Sequence, residues 1–552
     1  MKKIFIGLLV VLVFIGGFGF FLMNKRGSSK TSEKYNDFSF ISEDKDIDKE
    51  DFTRNDGMFY LSLDYIKEYL DEDAHYDKAE KTIVLVNDKG TKRIPLDSKQ
   101  MDLNGQTIEL RQVAYEKGDK IYLPIEAFIY DYPVELRYIK DKNLLVLDRK
   151  DFIYSKGIST GDGLNMREKA NTSSPLVAIL NDKDEVYVYG EKGDFYRVRQ
   201  IDGYMGYIRK DLLDVDYPED KFKIEKTQDV DKKEATSKPL NLTWDYKYAR
   251  QSDESVEQIV NVPGLDVICP TWFSIGNVNA DVIDRGNMNY VNKYNELGID
   301  VWAYLDNSFD PDITHEVLKS SAKREKVINS CRALIKQYGL KGINIDFEHT
   351  KIDDRDNITQ FVREINGVLK QDGIVVSVAV TPQISSNVKK EPYDRYELSK
   401  VADYIMVMAY DQHWASSDKA GSVAEYSWVE GNINNLFSSI PKEKFILCIP
   451  FYSRLWAESS GDLKSQSLSM EQVNNLIAKY SLNPKWDEEI KQSIAEYSND
   501  GKDYKLWIEN SKSIEYKTKL VNKYNLAGIA SWRKGFETPE IWTSINNNLY
   551  QK

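Results

Sequence analysis

Residues 342 to 350 read "GINIDFEHT", which sets an asparagine, an aspartate and a glutamate at every second position with Ile343, Ile345 and Phe347 between them. In a strand, successive side chains point to opposite faces, so Asn344, Asp346 and Glu348 share one face and the three hydrophobes the other. A positioned carboxylic acid is what proton transfer to or from a reacting bond requires. An ordinary half-buried strand shows the same alternation, so these nine residues alone fit either a reactive face or a satisfied polar layer.

The elements around them narrow the choice. From Leu240 onward, apolar strands alternate with amphipathic helical stretches. Eight strand candidates follow one another: "NLTWD" at 241, "DVICPTWF" at 266, "DVWAYL" at 300, "GINIDFE" at 342, "IVVSVAV" at 374, "DYIMVMAYD" at 403, "KFILCIPFY" at 444 and "AGIASW" at 527. Eight such units in about 310 residues are what an α/β, (β/α)8 TIM barrel requires. The last two are separated by about 75 residues, room for a small α+β insertion. In such a barrel the active site lies at the C-terminal ends of the strands. Trp272, Asp306, Glu348, Tyr410 with Asp411, Tyr452 and Trp532 all fall there. On this reading Asn344, Asp346 and Glu348 line the barrel interior on strand four, and Ile343, Ile345 and Phe347 pack against the surrounding helices.

With these positions in view, the C-terminal half resembles glycoside hydrolase family 18. The strand-four run is similar to that family's "DGxDxDxE", "VMAYD" (407 to 411) to its strand-six motif, "IPFYSR" (449 to 454) to its strand-seven motif, and Ala530-Ser531-Trp532 to its strand-eight tryptophan. Lys341 and Asn344 stand where chitinases carry the first two aspartates, and no glycine-rich "SxGG" marks strand three. The asparagine form followed by "IDFE" looks like the peptidoglycan-lytic, spore-cortex branch.

The resemblance implies substrate-assisted, retaining hydrolysis, in which the 2-acetamido carbonyl of an N-acetylhexosamine attacks its own anomeric carbon. It implies Glu348 as acid/base, Asp346 as the group that holds the acetamido N–H and balances the oxazolinium, Asn344 as a neutral neighbour, and Tyr410 as a donor to the acetamido oxygen. Trp532 would form the floor beneath the sugar. Trp272, Asp411, Tyr452 and Arg454 are further substrate-binding candidates, Trp272 as a glycan platform or a rim aromatic.

The rest of the chain sets the context. A length of 552 residues suggests three or four domains, and 41% hydrophobic with 12% aromatic residues can fill sizeable cores. A net charge of -13 argues against a nucleic-acid partner. Cys269, Cys331 and Cys448 are too scattered for a disulfide framework, and neither they nor the four histidines have metal-site spacing, so no metal or other cofactor is expected.

Ile4 to Met23 is an uncharged apolar run of bilayer-spanning length without a cleavage site, read with its flanks (1–26) as an uncleaved transmembrane signal anchor. A polar tether (27–40) comes next. Residues 41–150 contain an internal repeat at an offset of 62, from Tyr60 and from Tyr122, each copy a short strand, a helix and a hairpin. This duplicated α+β module resembles the copper amine oxidase N-terminal domain, although His75 has no ligand partners nearby and no copper is implied. Residues 152–214 are short alternating strands with glycine-bearing turns. They resemble a bacterial SH3 domain, with Leu164-Asn165-Met166-Arg167 as its opening and Gly206-Tyr207-Ile208 as its close, which implies contact with wall peptides. A charged linker (215–238) leads to the catalytic domain (239–552).

The whole reads as a single-pass membrane glycosidase with its catalytic domain facing the cell wall, cutting peptidoglycan or a related N-acetylglucosamine glycan. A chitinase, or a non-catalytic wall-binding scaffold, is the alternative. The charged linker further suggests that a fragment from about residue 236 folds alone.

Overall fold

The computed structural model describes residues 27–216, 225–226, 238–383, 387–459 and 461–550. The apolar run expected to cross the membrane lies outside the described residues, and among the described ones no helix is long and apolar enough to do so. The chain divides into two compact units. One comprises Met1–Ala74, Leu96–Met101 and Glu109–Asp231, the other His75–Pro95, Asp102–Ile108 and Lys232–Lys552.

In the first unit, seven strands from Ser155 to Asp216 form the SH3-like barrel, closed over Met166, Val186, Val198 and Ile208. The segment expected as a free tether is laid along this barrel instead. Ser28 N donates to Thr172 O (2.8 Å), Leu176 N to Lys30 O (2.8 Å) and Ser32 N to Leu176 O (2.7 Å), so residues 28–32 cover the backbone of an edge strand. Residues 39–42 then pair in parallel with Leu144–Leu147.

The repeat shows in the hairpins, since the strand Thr82–Asn87 recurs as Leu144–Arg149 at the same offset. The expected helix forms only in the first copy, Leu63–Tyr69, capped by Ser62. The second copy has two short 3-10 turns, Ile125–Ala127 and Ile129–Asp131. Pro133 follows at once, and a proline disfavours helical backbone in the residue before it.

In the second unit the eight expected strands form β1 (Leu240–Asp245), β2 (Val267–Pro270), β3 (Asp300–Asp306), β4 (Gly342–Asp346), β5 (Val375–Val380), β6 (Tyr404–Met408), β7 (Phe445–Pro450) and β8 (Gly528–Trp532). Every neighbouring pair is parallel, and the β8–β1, β1–β2 and β2–β3 pairings close the barrel. Ile343, Ile345 and Phe347 lie in the core between strands and helices, whereas Trp244, Trp302, Tyr304, Met406 and Cys448 fill the interior. Gly342 permits this filling: a Cβ there would stand 2.6 Å from the Trp302 ring.

The insertion lies between β7 and β8. It is a five-stranded antiparallel sheet within residues 452–508 plus the helix Met470–Tyr480, with its own core of Leu455, Leu468, Val473 and Leu506. Its root is fixed by Glu509, fully buried with Lys517 (2.7 Å) and bonded by Gln492 (2.6 Å).

The same unit includes residues 75–95 and 102–108, from the N-terminal module. They pack on α1 (Ser321–Tyr338) and α2 (Arg355–Lys370). Asp77 Oδ2 accepts from Ser321 N (2.7 Å) and Glu80 Oε2 from Ala322 N (2.8 Å), supplying carboxylates to the otherwise unsatisfied first N–H groups of α1. Arg93 reaches the fully buried Glu364 of α2 (2.8 Å), which also holds Arg324 of α1. At Gly367 a Cβ would meet Val86 Cγ1 at 2.5 Å, so the sheet rests directly on the helix backbone. A cut near residue 236, where the charged linker suggested a self-sufficient fragment, would therefore remove one partner of a buried charge cluster.

Candidate active site

The C-terminal end of β4 brings together groups from most of the barrel. Asn344 is fully buried: its Oδ1 accepts from Trp244 Nε1 of β1 (3.0 Å), and its Nδ2 donates to Ser377 Oγ of β5 (3.0 Å). Each end of the amide is therefore used, and the Ser377 hydroxyl donates in turn to Ile343 O (3.3 Å). Asp346, 5% exposed, accepts from the Tyr304 phenol of β3 through Oδ2 (2.6 Å), while its buried Oδ1 has no hydrogen-bond partner among the described residues. A buried acceptor left bare is costly unless something else supplies the donor.

Glu348 is half-buried two residues past the strand. Its backbone is clamped by Asn307, whose Oδ1 accepts from Glu348 N (3.2 Å) and whose Nδ2 donates to Glu348 O (2.7 Å), and Tyr393 donates to the preceding carbonyl, Phe347 O (2.7 Å). Burial, then the charge of Asp411, push the Glu348 carboxyl above its ordinary range. Burial, then the Glu348 charge, push Asp346 well up, against the Tyr304 hydrogen bond. Two carboxyls that resist ionising together suit one proton-holding acid beside one charge stabiliser.

Ser308, Phe309, His349 and Asp411, at the ends of β3, β4 and β6, all have positive φ between 53° and 57°. Sparsely populated backbone clustered at strand ends is a mark of a functional site.

Tyr410 and Trp532 both pack against the interior cluster, and Trp532 lies edge-on to Trp244 (5.9 Å between ring centroids). Tyr452 donates to Asp411 Oδ1 (2.6 Å), and Arg454 approaches the same oxygen (3.5 Å); both sit on the first strand of the insertion, at 5% and 7% exposure. Their observed role is to hold Asp411.

Trp272 is fully buried against Tyr290 (5.2 Å) and Tyr338 (5.8 Å). It is core filler and corrects the reading of a rim platform: the strand breaks after Pro270, which turns the indole away from the cleft. Tyr304, Trp244, Asn307 and Tyr393 were missed. Tyr304 was open to detection, because Trp302, Tyr304 and Asp306 alternate on β3 as Asn344, Asp346 and Glu348 do on β4, and the two strands pair in register at Tyr304–Asn344 and Asp306–Asp346.

Comparison with known proteins agrees with this geometry. Residues 308–536 match the model of glycosyl hydrolases family 18, residues 162–214 the bacterial SH3 domain and residues 42–146 the copper amine oxidase N-terminal domain. The uncharacterized glycosylase YvbX of Bacillus subtilis (strain 168) is 28% identical over 261 residues, covering 45% of this chain and 74% of the relative. The cortical fragment-lytic enzyme of the same organism is 21% identical over 248 residues, covering 44% of this chain and 57% of the relative. In fold, the spore cortex-lytic enzyme SleL of Bacillus megaterium QM B1551 superposes with a TM-score of 0.51 at 19% identity, covering 56% of this chain and 74% of that one. Residues 308–536 thus carry a domain of the glycosyl hydrolases family 18 type, a family of glycosidases, preceded by a copper amine oxidase N-terminal-like module and a bacterial SH3 domain.

Proposed function

We propose that the protein is a retaining, substrate-assisted glycosidase that cleaves peptidoglycan beside N-acetylglucosamine. The observation that carries this reading is the bare, buried Oδ1 of Asp346. With Oδ2 occupied by Tyr304, Oδ1 is free for one donor, and the acetamido N–H of an N-acetylhexosamine over Trp532 is the donor that substrate assistance requires. As the acetamido oxygen bonds to the anomeric carbon, Glu348 gives its proton to the leaving oxygen. The oxazolinium charge is balanced by Asp346, and Glu348 then takes a proton from the water that reopens the ring. Tyr410 steadies the acetamido oxygen. A non-catalytic glycan receptor has no need of an acid whose backbone is clamped at both N–H and C=O.

Support for peptidoglycan as the substrate comes from the cortex-lytic relatives, and support for wall contact from the SH3 domain. The apolar run at 4–23 supports a membrane-held protein facing outward, where that substrate lies.

The test is mass spectrometry of the products released from purified peptidoglycan by the wild type and by Glu348→Gln. The expected result is new reducing N-acetylglucosamine ends from the wild type and a loss of roughly 10²-fold or more in the folded variant. Muramic acid ends, or full activity in Glu348→Gln, would overturn the proposal.

A further inference from the structure

Next to the floor tryptophan stands a cation that the mechanism above does not use. The Arg533 guanidinium lies 4.0 Å from the Phe536 ring centroid and 5.0 Å from that of Tyr246. Tyr246 in turn contacts the Trp532 ring (6.4 Å), so one aromatic ring links the arginine to the sugar floor. Tyr246 and Tyr248, 47% and 83% exposed, carry this surface outward on the loop after β1.

Elsewhere in the barrel, arginines are matched to acids: Arg324 to Glu364, Arg355 to Asp394 and Arg395 to Glu391. Among the described residues no carboxylate is in ion-pair contact with Arg533. The nearest acids are committed elsewhere, Asp245 to Lys247 (2.8 Å) and Tyr290 (2.7 Å), and Glu537 to Gly535 N (2.6 Å) and Trp542 Nε1 (3.2 Å). Two aromatic faces hold the side chain in place without using its N–H groups, which keeps a planar fork of donors available for a bidentate acceptor.

We propose that Arg533 is a specificity residue that reads a carboxylate on the sugar adjoining the one over Trp532. This rests on the reading of the substrate as peptidoglycan. In that alternating glycan, an N-acetylglucosamine over Trp532 has muramic acid on either side, and muramic acid differs from N-acetylglucosamine by its lactyl ether. The carboxylate is the lactyl group itself in peptide-free glycan, or belongs to the stem peptide where one is attached. Chitin offers neither. Burial holds the Arg533 guanidinium below its usual range, a cost that an anionic ligand would relieve.

The experiment compares wild type, Arg533→Ala and Arg533→Lys on four glycans of matched length: peptide-free peptidoglycan strands, the same strands with their carboxyls converted to neutral amides, peptide-bearing strands, and chitooligosaccharides. Dissociation constants for the same glycans are measured in the Glu348→Gln background, so that binding is read without turnover. Wild type is expected to favour a carboxylate-bearing glycan over its neutral counterpart by roughly tenfold to a hundredfold in kcat/KM and in affinity, and Arg533→Ala to lose that ratio. Arg533→Lys, which keeps the charge without the fork, should fall between. Preference for peptide-free strands assigns the lactyl carboxylate, and preference for peptide-bearing strands the stem. Equal losses on charged and neutral glycans, or none on either, would overturn the role of Arg533 while leaving hydrolysis intact. Absence of cleavage and binding by wild type on every glycan would instead overturn the substrate reading on which it rests.

Discussion

Asp411 occupies left-handed backbone at the end of β6, anchored by Tyr452 and Arg454, and its charge is the chief electrostatic influence that raises the proton affinity of Glu348 beyond burial. A general acid must be protonated to act, so activity is lost as pH rises through the Glu348 pKa. Asp411→Asn removes the charge but leaves an oxygen to accept from Tyr452. The Glu348 pKa falls, and the alkaline limb of the kcat/KM profile is expected to move to lower pH, with the fold preserved. A profile that stays in place would show that Asp411 does not tune the acid. Asp346 and Asp306, the other acids near the pair, are untouched by this change.

At the scale of elements, the cluster of Arg93, Arg324 and Glu364 ties the N-terminal sheet to α1 and α2. Arg93 and Glu364 are 5% and 0% exposed at the side chain, and the Glu364 carboxyl is held below its usual range by Arg324 and Arg93 against the cost of burial. Removing Arg93 leaves the buried Glu364 carboxylate to Arg324 and Gln360 and costs it one charge-assisted hydrogen bond, about 2 kcal/mol. Arg93→Ala should therefore lower the melting temperature by several degrees. In a Glu364→Gln background the same change should cost much less, because the carboxylate that Arg93 pairs with is gone. Additive losses in the double variant would mean that the two side chains are not energetically coupled.

For the whole molecule, a barrel fragment begun near residue 236 lacks Asp77, Glu80 and Arg93, which cap α1 and satisfy Glu364. It is expected to melt well below the chain begun at residue 27, by calorimetry or circular dichroism, with activity falling as the folded fraction falls. Equal melting temperatures would show that the barrel does not depend on the sheet. The N-terminal module then has a physical task besides any contact with the wall: part of it is a component of the barrel's outer layer.

Short, nearly continuous apolar runs, repeated eight times with helical spacing between, were enough to specify the barrel, because a strand buried on both faces is written that way. The face shared by Asn344, Asp346 and Glu348 was legible because successive side chains of a strand point to opposite sides. Which side chains meet that face was not. Trp244 lies 100 residues from its partner Asn344, and only barrel closure brings the two together, whereas Tyr304 meets Asp346 through the register of the neighbouring β3 and β4. Trp272 looked equivalent to Trp532 in sequence, since both end strands, and a break in one strand sent it into the core. The joining of residues 75–95 to the barrel helices was likewise invisible: Arg93 reads as a surface cation in an exposed hairpin until Glu364, 271 residues away, is placed beneath it. Local pattern determines elements and faces, while long-range packing alone determines which polar groups share a desolvated space, and thus which of them can do chemistry.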